Sequence, residues 1–188
     1  MRQSEFKSEE IINRIARKDK TAFRLFYNHF YPSVYRYTSY FLTAKEDCEE
    51  VVSDVFFIIW RRGIELTTVK DMRAYLYTIT RNEAYRRLRQ VKEKTISIDD
   101  MPVAMEMDNS SIEGEMIESE MMDSLNQAIT ELPERCKLIF LMVRQEQMKY
   151  KEIADVLSIT EGTIEQQMNI AIKKIASTIK QLYPYLDL

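Results

Sequence analysis

Turn-forming residues are scarce in this chain, whose 188 residues include three glycines and four prolines. Tight β-turns draw on Gly and Pro, so a hairpin-rich fold is excluded, and the 45% apolar content then argues for long helices. An all-α protein is the expectation. Cys48 and Cys136, the two cysteines, lie far apart within apolar helical patterns and read as small buried thiols. The single histidine, His29, sits among Phe26, Phe30 and Tyr31 and reads as a partly buried structural ring. One histidine and two separated cysteines offer no zinc-ligand spacing. Phosphate-cradling glycine loops and a nucleophile elbow are missing too. No catalytic set is visible, so an enzyme is the weak reading, and neither metal nor cofactor is expected. Residues 1–10 lack an apolar signal core, and no apolar run approaches the ~18 residues that span a bilayer. A cytoplasmic protein without membrane insertion is expected.

The net charge of −3 conceals an uneven distribution. Residues 1–94 hold 19 Lys and Arg against 13 Asp and Glu, a surplus of +6, while residues 124–188 hold eight of each. From Thr95 to Asp123 there are nine acids and no base. That stretch also lacks aromatics and contains a Pro, a Gly and a Ser pair, the composition of a flexible acidic linker. The expected organisation is two small helical domains, 1–94 and 124–188, joined by a linker over 95–123.

Periodicity places the helices. Ser8 to Ala16 can form a short helix with Ile11, Ile12 and Ile15 on one side. Asp19 suits the N-cap of the next, in which Phe23, Phe26 and Phe30 recur at helical spacing and Pro32 should kink or restart the helix before the aromatic segment Val34–Phe41. A third helix is expected over Lys45–Arg62, with acids at its start and Gly63 as an αL stop. A loop, Gly63–Lys70, leads to a fourth with Met72, Leu76, Ile79, Ala84, Leu88 and Val91 inward. These four helices would make a complete bundle. After the linker, helices are expected over Leu125–Leu132, Pro133–Arg144, Tyr150–Leu157 and Thr160–Ile179.

Two stretches carry functional signals. In TRNEAYRRLRQVKEK, residues 80–94, six cations outnumber two acids on a helix that also bears Tyr75, Tyr77 and Tyr85. Cations beside stackable rings suit a surface that tracks a nucleic-acid backbone and takes up unpaired bases. A solvated face laced with ion pairs explains the same residues equally well. In IADVLSITEGTIEQQMNIAIKK, residues 153–174, Ile153, Ala154, Leu157, Ile159 and Ile164 are apolar where a helix-turn-helix packs on itself. An ordinary helical hairpin is the alternative. Ser158 stands where Gly commonly supplies the positive φ of the turn, a departure worth about 1 kcal/mol. Yet Ile153 to Ile172 contains no Lys or Arg, a strange endowment for a reader of a polyanion.

The order of parts is informative. EEVVSDVFFIIWRR (Glu49–Arg62), then AYLYTITRNEAYRRLRQ (Ala74–Gln90), an acidic tether, then LPERCKLIFLMVRQEQMKYKEIADVLSITEGTIEQQM (Leu132–Met168) resembles a bacterial sigma factor of the extracytoplasmic-function group, over roughly residues 20–180. The resemblance implies that Glu50, Asp54, Phe57 and Trp60 dock on the β′ clamp helices of core RNA polymerase. Ser53 stands where the family usually has Gln. It also implies that the loop after Gly63 and the following helix melt and hold the −10 promoter element, through Arg73, Tyr77, Arg81, Asn82, Arg86 and Arg89. The Thr160–Lys174 helix would read the −35 element while its domain leans on the β flap. An anti-sigma partner is a further expectation. The acidic tether, drawn into the polymerase's basic channel, would act there as a nucleic-acid mimic.

The likeness also resolves the shortage of cations. Thr163, Gln166, Gln167 and Asn169 can discriminate base edges without net charge, with Lys173 beside them. Affinity would come from polymerase, which holds a weak reader at high effective concentration beside its site. Two rivals stand beside this reading: a helix-turn-helix regulator that binds an operator unaided, and a helical module whose basic helix meets an acidic protein.

Overall fold

The computed structural model describes residues 8–92 and 116–183, and every regular element among them is helical. The chain divides into two compact units, Met1–Lys94 and Thr95–Leu188. The tether expected over 95–123 lies outside the described residues as far as residue 115, and so does the role suggested for that part of it.

The first unit holds α1 (Ser8–Ala16), α2 (Lys20–Ser39), α3 (Lys45–Arg62), a 3-10 turn (Gly63–Thr68) and α4 (Met72–Lys92). Asp19 caps α2: its Oδ1 accepts from the backbone N–H of Thr21 at 2.8 Å and of Ala22 at 3.1 Å. The Ala22 bond, then the Arg14 guanidinium, hold the Asp19 carboxyl below its ordinary pKa. Of the two outcomes expected at Pro32, a restart does not occur: α2 runs through it to Ser39 and takes in the aromatic segment beyond as far as that residue. Phe26, Val34 and Tyr37, all buried on either side of the proline, supply the tertiary packing that outweighs the lost N–H. Gly63 ends α3 at φ 52 and ψ −110, a left-handed φ as expected but outside the αL basin. The chain then winds into the 3-10 turn where a loop was expected. Lys18 supports this end, its Nζ donating to the carbonyls of Trp60 and Arg61.

Ile15, Phe26, Tyr37, Ile59, Leu66, Leu76 and Tyr77 form the fully buried centre of this unit. Each large apolar side chain so placed contributes about 1.5–3 kcal/mol. Met72, Ile79, Ala84 and Leu88 of α4 are buried as its period required, while the Val91 side chain lies outside the described set. His29, expected to be partly buried, is exposed, with its ring edge-on to Phe30.

The second unit comprises α5 (Met116–Thr130), α6 (Glu134–Arg144), α7 (Tyr150–Leu157) and α8 (Glu161–Leu182). Helix α5 starts nine residues before the expected Leu125 and takes in Met116–Asp123, read from composition as linker. After Gly114 there is no Gly or Pro until Pro133, and Met, Ile, Glu and Leu tolerate a helix well. Ile139, Leu141 and Met142 of α6, Ile153 and Val156 of α7, and Ile164 and Ala171 of α8 make the core. The Cys136 thiol donates to the Gln167 carbonyl at 3.2 Å, tying α6 to the middle of α8. Both cysteines are free and buried.

Candidate nucleic-acid interface

The helix-turn-helix is built by local chemistry. Glu152 accepts from the Lys149 backbone N–H at 2.8 Å and so closes the first turn of α7. Ser158 takes φ 57 and ψ 46, the left-handed geometry expected of it, and the next N–H, of Ile159, reaches the Ala154 carbonyl at 3.1 Å. Thr160 then caps α8, its Oγ1 accepting from the Thr163 N–H at 3.1 Å. Ile153, Ala154, Leu157 and Ile164 are buried in the packing of the unit, and Ile159 is half-buried.

With Ile164, Met168 and Ala171 turned inward, α8 presents its polar face to solvent. Gln166, Asn169 and Lys173 are exposed together, and Thr163 and Gln167 are half-buried at the edge of that face. An open concavity of about 370 Å³ is lined by Gly162, Glu165, Gln166, Asn169, Ile170 and Lys173. Two amides stand there with one acid and one cation, so the surface offers hydrogen-bond donors and acceptors without net charge.

The basic helix of the first unit is arranged differently. Arg86 donates from Nε to Glu83 and from Nη2 to Asp54, both at 2.6 Å. Arg87 bonds Asp47 at 2.7 Å and Glu50 at 2.8 Å. Asp47, Glu50 and Asp54 lie at spacings of three and four residues, one stripe of α3, and that stripe is zipped to α4. These bonds raise both guanidinium pKa values, with the Glu83 bond the main cause for Arg86 and the Asp47 bond for Arg87. The solvated, ion-paired alternative therefore describes part of this face. It also means that Glu50 and Asp54, expected at a polymerase contact, already hold arginines of the helix expected on DNA.

The aromatic part of the basic-helix reading needs correction. Tyr77 is 1% exposed, its ring 4.7 Å from that of Tyr37, so it offers no face to a base in this structure. Tyr85 is buried as well, against Phe41. Both fall on the inward face of α4, and burying a ring outweighs displaying it. Arg73 and Arg81 lie over the rings of Tyr77 and Tyr85 at 5.7 and 5.9 Å from the centroids. The Arg81 Nη2 also donates to Asn82 Oδ1 at 3.1 Å, and Arg81 is nearly buried. Asn82 and Arg89 are exposed, and Arg89 forms no ion pair with any described residue. Trp60 is half-buried, its ring 5.0 Å from that of Phe23 and 5.2 Å from the Lys18 ammonium. Phe57, one turn past Asp54 on the same stripe, is 61% exposed. Ile64, in the 3-10 turn, is 69% exposed, a surface apolar residue that its loop reading did not single out. Among the described residues, no group of His, Cys, Asp or Glu could hold a metal ion, and no helix is long and apolar enough to cross a membrane.

Comparison with known proteins places both units. Residues 26–94 match the family model for Sigma-70 region 2, and residues 122–175 match that for Sigma-70, region 4. Over 68 residues the chain is 32% identical to RNA polymerase sigma factor FliA of Escherichia coli, an alignment spanning 36% of this chain and 28% of FliA. Among solved structures, CnrH in complex with the cytosolic domain of CnrY shares the fold with a TM-score of 0.64 and 15% identity, over 92% of this chain and 97% of CnrH. The sigma factor RpoE in complex with the anti-sigma factor NepR from Bartonella quintana gives 0.59 and 17%, over 84% of this chain and 96% of RpoE.

Proposed function

The chain belongs to the sigma-70 family, in its extracytoplasmic-function group, and from that membership we infer that it directs core RNA polymerase to specific promoters as a sigma factor. The observation that carries the reading is the pairing of family matches with surfaces: region 2 falls on the bundle with the cation-rich helix, and region 4 on the helix-turn-helix whose polar face is open. The first unit docks on the β′ clamp helices with Phe57 as its exposed apolar anchor, flanked by Glu50, Asp54 and Trp60. Arg73, Arg81, Asn82, Arg86 and Arg89 hold the melted −10 element, and Tyr77 supports Arg73 from below rather than stacking on a base. The second unit reads the −35 element with Thr163, Gln166, Gln167, Asn169 and Lys173, and leans on the β flap. A division after residue 94, with an acidic tether ending where α5 begins at Met116, belongs to the same proposal.

The Arg86–Asp54 pair between α3 and α4 fits this role because it is exposed and weak. Pairs as exposed as Arg86 with Asp54 contribute about 0–1 kcal/mol each, so phosphate or a polymerase contact can replace them at little cost. RpoE binds an anti-sigma factor. A comparable inhibitor of this chain is proposed on that likeness, as is a cytoplasmic place of work beside the polymerase.

Run-off transcription with purified core polymerase and this chain on a promoter panel tests the proposal. Specific transcripts from at least one template are expected. A footprint by the free chain, together with no transcript from any template, would point instead to a regulator that binds its operator alone.

A further inference from the structure

Glu165 and Gly162 are two of the α8 concavity's residues that folding does not explain. Glu165 is exposed, forms no ion pair with any described residue, and has Glu161 and Asn169 at the positions four residues away, where a cation would have supported it. Gly162 has no positive φ, and a Cβ built there would meet only Thr160 Oγ1, at an ordinary 3.9 Å. Gly162 stands in the first turn of α8, two residues past the Thr160 cap, and neither geometry nor packing asks for a glycine there. Both residues line the same 370 Å³ depression as Gln166, Asn169 and Lys173.

A carboxylate facing duplex DNA repels phosphate, so it weakens binding unless it accepts a hydrogen bond from a base. In the major groove the complementary edge for a lone carboxylate is the exocyclic amino group of cytosine. The bare backbone at Gly162, one turn before Glu165 and Gln166, removes the side chain that would otherwise keep a base edge away. On these grounds, and resting on the sigma-factor reading above, we propose that Gly162 and Glu165 form a cytosine-specific subsite. The −35 element used by this chain then contains one C·G pair whose cytosine N4–H₂ donates to the Glu165 carboxylate. That pair adjoins bases read by the amides of Gln166 and Asn169, for which adenine N6 and N7 are the matching edges. Lys173, at the far end of the concavity, contacts phosphate and carries no sequence information. The arrangement makes the subsite discriminate strongly for its affinity: wrong bases leave a desolvated carboxylate beside the polyanion, so rejection exceeds attraction.

The test is selection of transcribed templates from a library randomised across the −35 element, using holoenzyme reconstituted from core polymerase and the full chain. One position enriched for cytosine on one strand, by about tenfold over the other bases, is expected for the unaltered protein. Glu165→Ala should remove the enrichment at that position alone. Glu165→Gln, which offers a donor as well as an acceptor, should move it toward adenine. Gly162→Ala should leave thermal stability equal or higher while lowering transcription from the selected template. Lys173→Ala should weaken all templates alike. Absence of any cytosine preference, its survival in Glu165→Ala, or an equal gain by Glu165→Ala on every template would overturn the subsite while leaving the sigma-factor reading intact. Failure of the holoenzyme to transcribe any template would overturn both.

Discussion

The two units treat charge in opposite ways. The first concentrates cations and then restrains them: Arg86 and Arg87 are held by Glu83, Asp54, Asp47 and Glu50 across α3 and α4. Over residues 124–188 the second balances eight cations against eight acids, and the exposed face of α8 presents Gln166 and Asn169 between Glu165 and Lys173. Exposed cations give affinity for any phosphate backbone, whereas amides give discrimination and little affinity. A protein that divides the two properties between units needs something to hold both against one DNA molecule.

Substitutions can sharpen or break that contrast. The largest effect is expected from Gln166→Ala with Gln167→Ala, which should cut transcription roughly a hundredfold on promoters with the preferred −35 element and little on others, measured by run-off transcription. Uniform loss across templates would erase the distinction between the units. Arg89→Ala should act in the opposite manner, weakening holoenzyme binding severalfold whatever the sequence and lowering the salt slope of binding by about one. A sequence-dependent loss there would move Arg89 from backbone to base contact.

Smaller effects probe the folding of each unit. Ser158→Gly relieves a left-handed φ of 57 and should raise the stability of the second unit by about 1 kcal/mol, read in urea unfolding. No gain would mean that the Ser158 geometry carries no strain. The first unit should respond to acid through Asp19. Its pKa is lowered in the fold, chiefly by the Ala22 N–H, so its contribution is complete above the ordinary carboxylate value of 3.8 and lost as pH falls through the lower folded value. Asp19→Asn should therefore flatten the acid limb of the unfolding profile below that pH, an effect expected to be the smallest of the four.

Local patterns in the sequence were enough to place most of the helices and both functional caps, because period, capping residues and the Ser158 turn act within a few residues of one another. Asp19 and Thr160 cap the helices expected of them. What escaped depends on distance or on competition. Glu83 lies three residues from Arg86, but the α3 partners of Arg86 and Arg87 lie 32 to 40 residues away in the chain, so no window could join them. Tyr77 and Tyr85 looked like stacking platforms beside arginines, but the core claimed their rings. Pro32 allowed a restart of the helix that packing on both sides overrode, and the acidic composition before Asp123 hid the helix-forming residues that start α5 at Met116. On α8, Gln166, Asn169 and Lys173, named from side-chain chemistry and the family likeness, share one exposed concavity, which Thr163 and Gln167 do not line. Glu165 and Gly162, in the same stretch, drew no notice because an exposed acid and a helix glycine are ordinary until their surroundings are seen.

Titration of a labelled promoter duplex by fluorescence anisotropy, at about 0.15 M salt, with the free chain and then with the chain plus core polymerase, addresses the division of labour most directly. The free chain should bind no more tightly than about 1 µM and without sequence preference, in the range of non-specific association. Core enzyme should tighten binding to the promoter by at least roughly a hundredfold through tethering. Nanomolar, sequence-specific binding by the free chain, unchanged when core polymerase is added, would contradict it.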